Sequence, residues 1–112
     1  MEIDATVAQE IVKRILSVAS PDKIILFGSA ATEKMTRDSD IDLLVVEPAP
    51  GDRRARSVRL RETLRGLGYP FDVVVLSSKW FEQSKDVIGG VAYPAHKYGK
   101  VIYTIPPQKL LR

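Results

Sequence analysis

Residues 23–46 read KIILFGSAATEKMTRDSDIDLLVV and contain the pattern that decides the fold. The apolar run at 24–27 is typical of a buried strand, and Gly28 and Ser29 end it with a flexible turn. A polar segment follows, and a second strand, at 40–47, carries two aspartates near its start. The segment therefore predicts a strand, a turn and a second strand that together hold a cluster of polar groups.

The turn at Gly28 and Ser29 has the properties of a phosphate-binding site. Glycine lets the backbone approach a ligand closely because it has no side chain. The N–H groups beyond it, with the Ser29 hydroxyl, can donate hydrogen bonds to phosphate oxygens. A simple strand-to-helix turn with an N-cap uses the same N–H groups, so the two interpretations are compatible.

Asp40 and Asp42 are candidate metal ligands. Positions i and i+2 of a strand point to one face, so the two carboxylates project together and repel unless a cation lies between them. Oxygen ligands favour Mg²⁺, which binds through a few carboxylates and substrate phosphates. The alternative is a solvent-facing pair at a strand start. An EF-hand calcium loop is excluded, because Leu43 stands where that loop needs glycine and Ala49 where it needs glutamate.

Asp72 is the third candidate carboxylate. It lies at the start of an otherwise apolar strand predicted at 71–76, where an unpartnered charge is costly. If this strand lies beside 40–47, Asp72 can complete a ligand set for two metal ions. The alternative is a strand-end aspartate in water or paired with an arginine. A phosphate cradle beside carboxylates predicts phosphoryl-transfer chemistry.

The same residues resemble a known signature. Gly28-Ser29, ten intervening residues and then Asp40-Ile41-Asp42 are similar to the motif of polymerase-beta-type nucleotidyltransferases, and the chain from about 11 to 103 resembles the minimal nucleotidyltransferase (MNT) domains. The resemblance implies a palm-like α+β fold, a small mixed sheet of three or four strands with helices packed mainly on one face.

The resemblance also implies a reaction. It is Mg²⁺-dependent transfer of a nucleoside monophosphate, AMP from ATP, to a hydroxyl on a HEPN-domain partner, so that the chain acts as an antitoxin. Asp40 and Asp42 then hold two metal ions and the triphosphate, Asp72 completes the acceptor-side metal and serves as a base, and Gly28 and Ser29 orient the phosphates. A free-standing transferase acting on RNA ends or on a small molecule is a further alternative.

One departure from the family pattern favours a different function. The family has an arginine directly after Gly-Ser, whereas this chain has Ala30. Alanine cannot make the bidentate phosphate contacts of arginine, although Lys34 or Arg37 can substitute. The alternative hypothesis is therefore a catalytically weak or inactive MNT-fold module that neutralises a HEPN-type partner by docking alone.

The rest of the chain predicts one domain over 1–105 and a tail over 106–112. Turn and capping signals predict helices near 4–19, 52–67 and 79–88, short helices near 30–34 and 94–99, and a last strand at 101–105. The whole chain has 112 residues, which is enough for one modest core. There is no cysteine, no secretion signal and no apolar run long enough to cross a membrane, so the expectation is a cytoplasmic protein.

Two surface features complete the predictions. The net charge of +3 permits attraction to nucleotides, RNA or an acidic partner. Arg54, Arg61 and Arg65 share one face of the predicted helix 52–67, as a docking strip for RNA or an acidic protein or, more simply, a solvated face. Trp80 and Phe81 are predicted to lie in the core. A homo-oligomer and direct nucleic-acid binding are both left open.

Overall fold

The computed structural model describes residues 5–28 and 40–106. The predicted short helix at 30–34 and all of the predicted tail except Pro106 lie outside these ranges. The helices and strands follow in chain order as α1 (Ala5–Val18), β1 (Lys23–Phe27), β2 (Ile41–Glu47), α2 (Arg53–Thr63), β3 (Phe71–Ser77), α3 (Ser78–Ser84), α4 (Ala92–Tyr98) and β4 (Lys100–Thr104). None of the helices in these ranges is long and apolar enough to span a membrane.

The four strands form one mixed sheet in the order β3-β2-β1-β4. β1 is antiparallel to both β2 and β4, whereas β2 and β3 are parallel. A parallel pair cannot be joined by a tight hairpin, and α2 supplies the crossover connection that returns the chain to the same end of the sheet. As a result, β2 and β3 begin at the same end, where β1 finishes. This topology confirms the predicted mixed sheet.

Helices cover both faces of the sheet, so the prediction that they pack mainly on one face is wrong. One core cluster joins α1 and α2 to a sheet face that includes Ile24, Leu43 and Val73. The other joins α3 and α4 to the opposite face, which includes Leu44 and Leu76. The physical reason is the nearly continuous apolar sequence of β1, β2 and β3, which places apolar side chains on both faces and therefore requires cover on both.

Two helices are shorter than the sequence predicted. α2 ends at Thr63 rather than near 67, and the chain then turns through Gly66 and Gly68, both with positive φ. The carbonyl oxygen of Arg65, in this turn, accepts a hydrogen bond from Nη1 of Arg14 in α1 at 2.7 Å. α3 ends at Ser84 rather than near 88. Both differences leave the order of elements unchanged.

The aromatic pair at the start of α3 divides between core and surface. Phe81 is buried in the cluster beneath α3 and α4, as predicted, whereas Trp80 is 54% exposed, so its predicted place in the core is wrong. Consecutive residues of a helix point about 100° apart. Because Phe81 faces the sheet, the adjacent Trp80 points away from it.

A buried ion pair fixes the start of α2 to the end of β2. Glu47 is 5% exposed, and Arg56 Nη2 lies 2.9 Å from its Oε2 and 3.1 Å from its Oε1. Removing one partner of such a pair leaves an uncompensated buried charge. The Arg56 side chain is therefore occupied in holding the fold and is not available to a ligand.

We expect Arg56→Ala to lower the free energy of unfolding by about 2–3 kcal/mol, because Glu47 then stays buried without its partner. Arg59→Ala, on an exposed position of the same helix, is the matched control and should change stability by less than about 0.5 kcal/mol. Urea unfolding followed by circular dichroism measures both. Equal effects of the two variants would contradict the structural role given to the pair.

Candidate active site

The candidate site lies at the end of the sheet where β1 finishes and β2 and β3 begin. Asp42 is directly opposite Phe27 of β1 on one side and Asp72 of β3 on the other. Neighbouring strands are about 4.8 Å apart, so two aspartates in register on the same face of parallel strands bring their carboxylates together. The position of Asp72 beside Asp42 is the arrangement on which the predicted ligand set depends.

The site opens on the sheet face that α3 and α4 cover. Asp42 alternates along β2 with Leu44 and Val46, both of which belong to the core cluster of that face. The carboxylates therefore begin where the apolar cover of this face ends. Asp40 and Asp72 are exposed, and Asp42 is half-buried.

Gly28 lies directly against the Asp42 carboxylate. Its φ is +64°, a backbone angle that residues other than glycine adopt only with strain. A Cβ built on Gly28 would collide with Asp42 Oδ2. Glycine is thus required twice at this position, by its backbone conformation and by the proximity of the carboxylate. The sequence predicted a flexible turn here but gave no signal that the glycine contacts Asp42, because that contact joins positions on different strands.

The surroundings of Asp42 disfavour the negative charge of its carboxylate. Burial raises the pKa of the Asp42 carboxyl above its ordinary value, and the negative charges of Asp72 and then Asp40 raise it further. Each cause disfavours the ionised form, and a cation placed among the three groups would offset them by favouring the ionised carboxylates. The site therefore concentrates negative charge. Among the described residues, no arginine or lysine contact balances it.

The donor set suits a hard cation such as Mg²⁺, because its oxygen atoms come from carboxylates. Within residues 5–28 and 40–106, no three acidic, histidine or cysteine side chains are already arranged to hold a metal ion. Asp42 and Asp72 lie in register, and Asp40 precedes Asp42 by two residues, just before β2 begins. Ser29 and Ala30 lie outside the described residues, so their predicted roles stay predictions, as do the ligand roles of the three aspartates.

We expect Asp42→Asn to stabilise the metal-free protein at neutral pH. The pKa of Asp42 is raised in the folded state. The contribution of this carboxyl to the free energy of unfolding is therefore complete below its pKa in the unfolded chain, about 3.9, and is lost as pH rises through its pKa in the folded protein. The uncharged variant does not incur that loss, so its advantage over the wild type should shrink in acid.

Urea unfolding in EDTA at neutral and at acid pH measures this difference. Asp72→Asn is the companion variant, and its gain should be smaller because Asp72 is exposed. A wild-type protein that is more stable than Asp42→Asn at neutral pH would contradict the predicted repulsion.

Comparison with solved structures shows the same fold in toxin–antitoxin proteins. A crystal structure described as a toxin-antitoxin with AMP-PNP contains a chain 23% identical to this one, with a TM-score of 0.69 over 93% of this chain and 78% of the other. A chain of the MntA-HepT toxin-antitoxin is 20% identical, with a TM-score of 0.64 over 96% and 79% of the two chains.

A third similar chain comes from the complex of a tri-AMPylated Shewanella oneidensis HEPN toxin with an MNT antitoxin. It is 19% identical, with a TM-score of 0.58 over 95% of this chain and 76% of that one. At these identities the likeness establishes the fold, whose sheet order and crossover helix position the candidate site.

The family comparison goes further than the fold. A comparison with curated proteins gives no match. The profile of the nucleotidyltransferase domain family, however, matches residues 8–94, most of the chain and all of the segment that forms the candidate site. On this evidence the chain belongs to the nucleotidyltransferase domain family.

Proposed function

We propose that this protein transfers AMP from ATP to a hydroxyl group on a HEPN-type partner protein, with Mg²⁺, and so acts as the antitoxin of a two-protein system. The family membership supports the reaction class. The structural neighbours support the nucleotide and the partner, since one is described with AMP-PNP and another as an AMPylated HEPN toxin bound to an MNT antitoxin.

The observation on which the proposal depends most is the register of Asp42 with Asp72, against Gly28. Two strands bring two carboxylates together, a third lies two residues upstream, and the adjacent glycine lets the backbone of the turn lie against Asp42. Such an arrangement has no value for stability, because like charges in register are destabilising. Binding of a cation among the carboxylates offsets this cost.

The proposed reaction breaks one bond and forms one. The acceptor hydroxyl oxygen attacks the α-phosphorus of ATP, the bond from the α-phosphorus to the oxygen bridging to the β-phosphate breaks, and pyrophosphate leaves. When bound, Mg²⁺ supplies charge neutralisation for the triphosphate. Asp40 and Asp42 would hold the metal ion and so orient the triphosphate. Asp72 would accept the proton of the acceptor hydroxyl.

The residues contribute mainly by positioning. The Gly28 backbone passes close to the Asp42 carboxylate, so a phosphate held at the turn is necessarily adjacent to the carboxylate cluster. The proposed catalysis therefore consists of aligning the acceptor oxygen and neutralising charge, as is usual for transfer to and from phosphates.

We expect Asp42→Ala to abolish transfer of AMP to the proposed HEPN-type partner, because the variant loses the central carboxylate. Intact-protein mass spectrometry of that partner after incubation with ATP and Mg²⁺ measures the gain of AMP. Asp86→Ala removes an aspartate that is 80% exposed and is not one of the candidate site residues, and it should leave transfer unchanged. Full transfer by Asp42→Ala would overturn the proposal.

A second candidate function, neutralisation by docking without transfer, is favoured by Ala30 in place of the usual arginine. The double variant Asp40→Ala/Asp42→Ala separates the two functions. If transfer is required, co-expression of this variant with the partner leaves the partner toxic. If docking suffices, the variant still protects the cell although the mass of the partner is unchanged.

Gly28→Ala tests the contact between the turn and the carboxylate, and Gly51→Ala is its matched control. Both glycines have nearly the same positive φ, +64° and +66°, but a Cβ on Gly51 meets no atom within 4 Å. We expect both variants to lose about 1 kcal/mol of stability from backbone strain, and Gly28→Ala to lose more. Only Gly28→Ala should lose AMP transfer, and equal loss in both variants would contradict a specific role for Gly28.

A further inference from the structure

A basic cavity lies at the same end of the sheet as the candidate site. It has a volume of about 410 Å³, and its lining includes Arg61 of α2, Arg65 just beyond that helix, Glu62 and residues 69–71. Phe71, the last residue of this segment, is the first residue of β3 and directly precedes Asp72. The cavity is therefore one residue away from a candidate site carboxylate along the strand.

Hydrogen bonds to the backbone fix two walls of the cavity. On one side, the Ile41 N–H donates to the carbonyl oxygen of Pro70 at 2.8 Å, which joins the cavity to the start of β2. On the other side, the carbonyl oxygen of Arg65 accepts a hydrogen bond from Arg14 of α1 at 2.7 Å, and the Arg65 N–H donates to the carbonyl oxygen of Glu62 at 3.2 Å. Walls held in this way need little ordering when a ligand binds.

The guanidinium groups of the cavity are available to a ligand. Arg61 and Arg65 are both exposed, and the ion pairs among the described residues do not include Arg61. Arg65 lies 3.3 Å from Glu62, in a pair with both side chains more than half exposed. Such a pair contributes little to stability, so a carboxylate of a ligand can replace Glu62. Guanidinium groups bind carboxylates with two parallel hydrogen bonds.

The order of the strands indicates which substrate passes this cavity. Gly28, at the end of β1, lies on one side of Asp42, and Asp72 of the edge strand β3 lies on the other. In the proposed reaction the phosphates lie at the Gly28 turn. An in-line displacement places the attacking and leaving oxygens on opposite sides of the phosphorus. The acceptor hydroxyl therefore approaches from the β3 side, where the cavity lies.

From this arrangement we infer that the cavity docks an acidic segment of the partner protein and so brings the acceptor hydroxyl to Asp72. Arg61 and Arg65 bind a carboxylate of that segment, and Tyr69 and Pro70 receive an apolar side chain beside it. The inference rests on the proposed function for the acceptor, but the docking itself can be measured without any transfer.

The thickness of the sheet sets the spacing within that segment. Asp72 points to the face covered by α3 and α4, whereas Phe71 belongs to the core cluster of the other face. Side chains on opposite faces extend to points about 10 Å apart, and an extended chain advances about 3.3 Å per residue. We therefore expect the acidic residue to lie about three positions from the acceptor hydroxyl.

Nucleic acid is the competing occupant of a basic cavity. It carries a negative charge at every nucleotide, and the carboxylate of Glu62 in the lining repels such a closely charged chain. A peptide can instead place its carboxylate between neutral residues. Arg54, the third arginine of the predicted docking strip, is not among the residues that line the cavity. The cavity therefore favours a short acidic peptide over a polyanion.

Fluorescence anisotropy of a labelled peptide tests the docking by itself. The probe is a fluorescein-labelled peptide of glycine and serine that carries two glutamates and a leucine three positions from a tyrosine. We expect the full chain to bind it about tenfold more tightly than the same peptide with glutamine for glutamate. Equal affinities would overturn the inference, as would a single-stranded RNA of equal charge that displaces the peptide more effectively than unlabelled peptide does.

Substitutions locate the binding. Arg61→Ala/Arg65→Ala should weaken binding of the glutamate peptide about tenfold, whereas Glu62→Gln should tighten it because the competing carboxylate is lost. Arg54→Ala/Arg59→Ala is the matched control, since it removes the same charge from exposed positions of α2 outside the cavity lining. Equal weakening by both double variants would mean that only the general charge of the helix attracts the peptide, and the inference would be wrong.

Steady-state transfer connects the docking with the reaction. With the proposed HEPN-type partner, Arg61→Ala/Arg65→Ala should raise KM for the partner about tenfold and leave KM for ATP and kcat close to wild type. A raised KM for ATP instead would put the cavity on the nucleotide side and overturn the inference. A wild-type chain that binds the glutamate peptide but transfers no AMP would overturn the proposed function. Transfer without preference for the glutamate peptide would overturn this inference alone.

Discussion

The close approach of Asp42 and Asp72 on adjacent parallel strands is the constraint around which this protein is built. Two carboxylates in register repel, and the burial of Asp42 adds to the cost. The rest of the sheet must compensate, and it does so with apolar clusters on both faces and with the buried Glu47–Arg56 pair at the far end of β2. The like charges lie on one face of the sheet where β2 and β3 begin, and Ile41 and Phe71 beside them are buried in the apolar cluster of the other face.

The parallel pairing of β2 and β3 also explains the placement of function. Because α2 returns the chain to the same end of the sheet, the polar residues at the starts of β2 and β3 meet there, next to the turn that ends β1. An antiparallel pairing would have put Asp72 at the opposite end. The crossover helix thus brings together carboxylates that are thirty residues apart in the sequence, and its own outer side is left to face solvent.

The two ends of the sheet differ in what they expose. Carboxylates lie where β2 and β3 begin, whereas Trp80 and Arg53 line a cleft where these strands finish and α2 starts. Arg61 and Arg65 line a separate cavity beside Phe71, the first residue of β3. The positive charge of α2 and of the turn after it therefore extends along the helix and is not confined to one end of the sheet.

The sequence by itself determined the local features: the strand that becomes β1, the glycine turn, the spacing of Asp40 and Asp42 around the start of β2, and the mixed α+β class. Each follows from spacing within a few residues, where strand periodicity and backbone sterics act. Only the tertiary structure decided that Asp72 faces Asp42, that Gly28 touches the Asp42 carboxylate, that helices cover both faces and that Trp80 stays outside. These depend on which strands pair and on limited space beneath a short helix, and such contacts between distant residues leave no periodic signal in one chain.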